Sequence, residues 1–271
     1  MRAVLSKAFL GFAVGSFIAL LSLPLAALLL KSTPALLVNQ LFQPMVLEAL
    51  KLSLITSLSA TAIVVLFGTP VAYLLATRNF FGKKALEVLV DLPMVLPPTV
   101  AGLALLLAFG RSGLIGSSLE MFGISLPFTT LGVVLAQAFM SVPFFVAPVR
   151  AGFLSVDRKL IDAAKTLRAS EMDLFFRVLL PLSTPSLVAG VAMSCARALG
   201  EFGATITFAG NLPGVTQTMP LAVYVALQSD LEAAIMLSVL LLILSCALLF
   251  ALRSSRVGLF ERNTSASGAT S

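Results

Sequence analysis

Apolar residues run through this chain in long, nearly unbroken stretches rather than in the alternation of a strand or the narrow stripe of a surface helix. Six stretches reach the roughly 20 residues that cross a hydrocarbon core: 8–30, 47–76, 86–109, 128–149, 176–203 and 233–252. They predict an all-α, polytopic membrane protein with six transmembrane helices, one transmembrane domain over 1–262 and a disordered Ser/Thr/Ala/Gly tail over 263–271. The first stretch follows Arg2 and Lys7 but is longer than the apolar part of a signal peptide, so it reads as an uncleaved span.

The exceptions to the pattern carry as much information as the pattern. Residues 150–177 are rich in charge. Asp157 is placed to cap a short helix over 158–167 that gathers Leu160, Ile161, Ala164 and Leu167 on one face. Ser170 and Asp173 have capping-box spacing and start a second helix, amphipathic at first, apolar after Phe175, and bent by Pro181 and Pro185. A short amphipathic helix of this kind lies on lipid or fits a groove on a partner. The third stretch holds Asp91, Pro93, Pro97 and Pro98. Asp91 either lines a path beside a kink or marks where the span meets the interface. Residues 204–232 are too broken by Gly and Pro for a span and too apolar for a solvated loop. They predict a short helix dipping back into the membrane, with irregular backbone that protein or a wet cavity has to satisfy.

Composition narrows the function classes. The chain is 59% hydrophobic and 11% charged, against about 25% charged in soluble domains. No polar run is long enough for a soluble domain. The absence of His removes His-based metal sites, His general bases and the usual neutral-pH switch. Cys195 and Cys246 sit in apolar stretches and read as small hydrophobes. There is no Gly-rich phosphate loop, so any ATP that drives this protein is bound by another chain.

The net charge of +6 resolves into sidedness rather than affinity for nucleic acid. With the N-terminus cytoplasmic, fourteen of the eighteen Lys and Arg fall on cytoplasmic segments, including the whole of 150–177. Lys31 and Arg111 are external, and Lys51 and Arg197 lie within spans. Both termini and the charged segment are then cytoplasmic.

Arg197 and Glu201 stand four residues apart in the fifth stretch. Charge in a membrane interior is costly and is either functional or paired. The pair draws an anion along a path, or it is a neutralised fastening between helices. Thr205, Thr207, Asn211, Thr216, Gln217 and Thr218 follow it. They line a vestibule or gate, or they satisfy the broken backbone of the dip.

Residues DAAKTLRAS and LLPLSTP, between Asp162 and Pro185, resemble the EAA signature of ABC-importer permease subunits. The resemblance implies that this segment docks into a cytoplasmic ATPase. Asp162, Ala163 and Ala164 match the E-A-A triplet, and Leu167, Arg168, Ala169 and Ser170 complete the docking turn. Arg168 stands where that family has glycine. If the turn is left-handed there, a side chain costs on the order of 1–2 kcal/mol.

The stretch RALGEFGATITFAGNLPGVTQTMPLAVY, with LPMVLPPTVAGLALLLAFGRSGLIG upstream, resembles molybdate/tungstate permeases, and sulfate permeases less closely around 209–214. This implies a type I importer permease in a prokaryotic cytoplasmic membrane. It also implies a homodimer, two cytoplasmic ABC ATPase subunits carrying ATP and Mg, no cofactor on this chain, and an extracytoplasmic oxyanion-binding protein. The expected function is ATP-driven molybdate/tungstate import without catalysis by this chain, with a sulfate/thiosulfate permease as the near alternative. An ATP-independent channel or secondary transporter would carry membrane-buried ionisable relays; here only Arg197 and Glu201 sit deep.

Overall fold

A computed structural model describes residues 2–33, 37 and 41–267, with side chains described between 9 and 252. Among the described residues the chain is helical, with no strand. The helices are α1 (Arg2–Lys31), α2 (Pro44–Thr77), α3 (Lys83–Val95), α4 (Pro98–Phe109), α5 (Gly116–Met121), α6 (Thr130–Leu154), α7 (Arg158–Thr166), α8 (Glu171–Leu182), α9 (Thr184–Leu199), α10 (Gly203–Phe208), α11 (Met219–Ser229) and α12 (Leu231–Ser267).

Four of them are long and apolar enough to cross a membrane unbroken: α1, α2, α6 and the Leu231–Leu252 part of α12. They match the first, second, fourth and sixth predicted spans. Two further spans exist only as bent pairs, which brings the total to six if each pair is one span.

The third expected span, 86–109, is not one helix. It breaks between Val95 and Pro98, and α3 and α4 diverge by 119°. Leu96 and Pro97 are both extended, as the residue before a proline tends to be. The doublet Pro97-Pro98 imposes this twice in succession, whereas the isolated Pro93 is accommodated inside α3. The fifth span bends by 72° at Ser183, between the two prolines expected to bend it. The final helix continues through Ser267, beyond Asn263 where the polar tail was expected to begin; 268–271 lie outside the described residues.

Helix α6 is the axis of the bundle. It packs against α2 and α9 on either side and touches α3, α4 and α10. Lipid tails are as apolar as leucine, so helices here gain by fitting closely rather than by escaping water. Gly68 of α2 and Gly190 of α9 face Phe145 of α6 from two sides, each leaving room for the fully buried ring. A Cβ at Gly102 would fall 2.6 Å from Thr207 Cβ and 2.8 Å from the Ala204 carbonyl oxygen, so α4 rests directly on α10. Gly11 of α1, by contrast, faces open space. Gly102→Ala should therefore lower the thermal midpoint of the purified protein, by about 1–3 kcal/mol of stability. Gly11→Ala should leave it level or slightly raised; equal midpoints for both variants would contradict the close α4–α10 contact.

Candidate functional site

The charged segment folds as its caps specify. The Asp157 carboxylate accepts from the Lys159 amide at 2.9 Å and opens α7. The Ser170 hydroxyl accepts from the Asp173 amide at 3.1 Å, and the Ser170 amide donates back to Asp173 Oδ2 at 3.4 Å, completing the capping box that opens α8; the Ser170 hydroxyl also donates to that Oδ2 at 2.6 Å. The Ser170 hydroxyl and amide hold the Asp173 carboxyl below its ordinary pKa.

Between the two helices Arg168 adopts φ +56°, the left-handed conformation. Its amide bonds to the Lys165 carbonyl at 2.9 Å, and the Ala169 amide reaches back to the Ala164 carbonyl at 3.0 Å. These two bonds are the Schellman C-cap, whose left-handed position favours glycine. Arg168 thus bears a cost of about 1 kcal/mol for a turn that the rest of the segment enforces.

No residue of α7 is buried. Ile161 and Ala164 are half-covered against the core that contains Leu174 and Phe153. Asp162, Ala163, Leu167, Arg168 and Ser170 face outward, and Leu167 is 83% exposed. The two caps hold this exposed helix in place without burying it.

The second group of expected residues collects where α9 meets α10. Arg197 Nη1 lies 2.6 Å from Glu201 Oε2, and Glu201 Oε1 accepts from the Ala204 amide at 2.7 Å. The Arg197 guanidinium carbon sits 5.9 Å from the centre of the Phe144 ring on α6. Glu201 is 1% exposed and the Arg197 side chain 23%. The carboxylate therefore neutralises Arg197 and caps α10, which fastens the bend between α9 and α10 to α6. Thr205 lies in the same buried region, and its hydroxyl has no protein partner.

Residues 209–218 form a compact loop anchored to α6 and, at its junction with α11, to α2. The Leu212 amide donates to Thr216 Oγ1 at 2.8 Å, and the Leu212 carbonyl accepts from the Thr216 and Gln217 amides. Thr130 of α6 donates to the Val215 carbonyl at 2.8 Å, and Ser53 of α2 accepts from the Met219 amide at 2.7 Å. Thr216, Gln217 and Thr218 are buried, whereas Asn211 is half-buried with an unpartnered side-chain oxygen. Thr216 thus satisfies broken backbone, one of its two expected roles.

Asp91 belongs to neither group. It lies on α3 beside a cavity of about 220 Å³ that also holds Glu87 and Arg150, which pair at 2.7 Å.

Two features were missed in the sequence. Ser53, Thr56, Ser57 and Thr61 form a buried hydroxyl stripe along α2; their helical spacing within an apolar span was the available signal. Gln137 of α6 is fully buried with both side-chain polar atoms unpartnered, and nothing local in the sequence marks it. The Arg197–Glu201 geometry predicts an asymmetry. Arg197→Ala strands a buried carboxylate and should cost about 3 kcal/mol. Glu201→Gln keeps an acceptor for Ala204 and leaves a partly exposed Arg, so it should cost less; thermal unfolding in detergent reads the order, and the reverse order would contradict this arrangement.

The geometry has counterparts in known proteins. Residues 68–263 match the family described as "Binding-protein-dependent transport system inner membrane component". The molybdenum transport system permease protein ModB of Mycobacterium tuberculosis is 45% identical over 197 residues, covering 73% of this chain and 75% of that protein. A probable sulfate transport system permease protein cysT from Chlorokybus atmophyticus is 37% identical over 209 residues, 77% of this chain and 73% of that one. The crystal structure of a bacterial ABC transporter that imports alginate superposes with a TM-score of 0.76 at 15% identity, covering 94% of this chain and 95% of its counterpart; at that identity the likeness concerns the fold alone. On the family match over most of its length, this chain belongs to the inner-membrane components of binding-protein-dependent transport systems.

Proposed function

We propose that this chain is the permease subunit of an ATP-driven molybdate importer, with tungstate as a substrate of the same size and charge. The observation that carries the reading is the 45% identity to a molybdenum transport permease over 73% of the chain. The exposed, twice-capped α7 supports ATP coupling. It offers Leu167, Asp162 and Ala163 to a groove on a separate ATPase, which holds the nucleotide and Mg. Fourteen basic residues on one side support a cytoplasmic location for α7 and both termini.

The working assembly is two copies of this chain, two ATPases and an extracytoplasmic oxyanion-binding protein. ATP binding draws the ATPases together and moves both copies of α7. The spans turn outward, accept the anion, and return after hydrolysis, a two-state element biased by nucleotide. Arg197 and Glu201 fasten the α9–α10 bend rather than holding the anion, because together they are neutral. Thr205 and Asn211, with polar atoms unpartnered in the described chain, are the candidates for facing the path. Weak contacts suit a permease, which has to release its ion, so selectivity resides in the binding protein.

Uptake of labelled molybdate into proteoliposomes containing the permease, its ATPase and its binding protein tests the reading. The expected result is ATP-dependent uptake that sulfate at equal concentration leaves unchanged. ATP-independent uptake would overturn the class, and full competition by sulfate would overturn the substrate.

A further inference from the structure

Helix α8 does not begin as an ordinary helix. After its capping box, residues Leu174–Leu179 form a π-helical turn, and the Leu180 amide bonds five residues back to the Phe175 carbonyl. Such wide turns occur as single insertions and are kept where something fixes them. Pro181 supplies one cause. Its ring clashes with the carbonyl four residues back, at Arg177, in a tight helix, and a widened turn relieves the clash. A π turn becomes an α turn by slipping one residue of register, which rotates the downstream helix by about 100°. This turn lies between α7 and the bend at Ser183 that leads into α9.

The end of α2, its C-cap Arg78 and α6 hold the junction. Tyr73 meets Phe175 edge-on, with ring centres 5.0 Å apart, and Phe153 of α6 completes the aromatic cluster. The Tyr73 hydroxyl donates to Glu171 at 3.4 Å, and Arg78 forms an ion pair with the same carboxylate. Glu171 precedes the π turn and Phe175 lies within it. The ion pair is solvent-exposed and each ring contact is modest, so the grip biases the turn and still releases it. A cavity of about 400 Å³ bordered by Tyr73, Arg78, Ile161 and Leu174 leaves α7 room to move.

We infer that Tyr73 and Arg78 are positioning residues of energy coupling. They hold the π turn in one register, and movement of α7 slips it and rotates α9 with its Arg197–Glu201 end. This rests on the ATPase-coupled reading above.

The test is a reversible lock. Tyr73→Cys with Phe175→Cys, in a chain carrying Cys195→Ala and Cys246→Ser, is bridged by a short reducible dithiol cross-linker in the complete transport complex. The expected result is that the reduced cysteine pair, which lacks the ring contact, transports more slowly than the chain with Tyr73 and Phe175. Cross-linking then lowers its ATP-dependent uptake at least a further tenfold while the ATPase still copurifies, and reduction returns uptake to the rate of the uncross-linked pair. If the cross-linked complex transports at the reduced complex's rate, the inference is overturned. If the pair does not assemble, Arg78→Cys with Glu171→Cys and a longer cross-linker takes the same test under the same criteria. An unmodified complex that needs no ATP would instead overturn the coupled reading itself, so the two failures are distinguishable.

Discussion

Within hydrocarbon, a peptide group that leaves the helical path has no water to bond, and the protein itself has to meet it. This constraint organises everything unusual in the chain. Each break is compensated locally. At Ser183, the freed carbonyls of Leu180 and Pro181 accept from the Thr184 hydroxyl, and the Ser186 and Leu187 amides turn back to the Ser183 carbonyl. At Pro97, α4 resumes at once with the Ala101 amide on the Pro97 carbonyl. Loop 209–218 is satisfied by Thr216 from within and is held by Ser53 and Thr130 from α2 and α6.

These compensations link parts that are distant in sequence. Ser53 and Met219 are 166 residues apart, and their bond joins the start of α11 to the first third of α2. Glu201 does similar work at the α9–α10 bend, where one carboxylate serves as counter-ion and cap. The interior is thus a set of bent elements locked to the unbroken helices α2 and α6. Bent elements with discrete anchors have discrete alternative arrangements, which is what a two-state transporter needs. The segment proposed to receive the driving force is built differently: α7 is exposed, and its stability comes from caps rather than burial.

Much of this was legible in the sequence because the relevant signals are local. Run length located four spans, and Asp157 and Ser170–Asp173 specified the caps at their own positions. The glycine-like site at Arg168 was legible through resemblance, and its φ of +56° agrees. The angle at Leu96–Pro97 was not legible, since Pro93 and Pro97 look alike locally and only the doublet forces two successive extended residues. The π turn escaped because Pro181 signals a bend as readily as a widened turn, and the rings of Tyr73 and Phe153 that meet Phe175 are far away in sequence. The prolines near Asp91 left it between a path and an interface position, and its neighbours Glu87 and Arg150 were not legible because Arg150 comes from α6.

Docking of an ATPase on α7, as proposed, is the step on which coupled transport turns. Leu167 tests it most cleanly, because its side chain is 83% exposed and its replacement leaves the core untouched. The measurement is copurification of the ATPase with Leu167→Glu, alongside thermal unfolding of the variant alone. A buried charge at a docking contact should reduce bound ATPase at least tenfold with an unchanged unfolding midpoint. Full ATPase recovery with the Leu167→Glu chain would contradict the account.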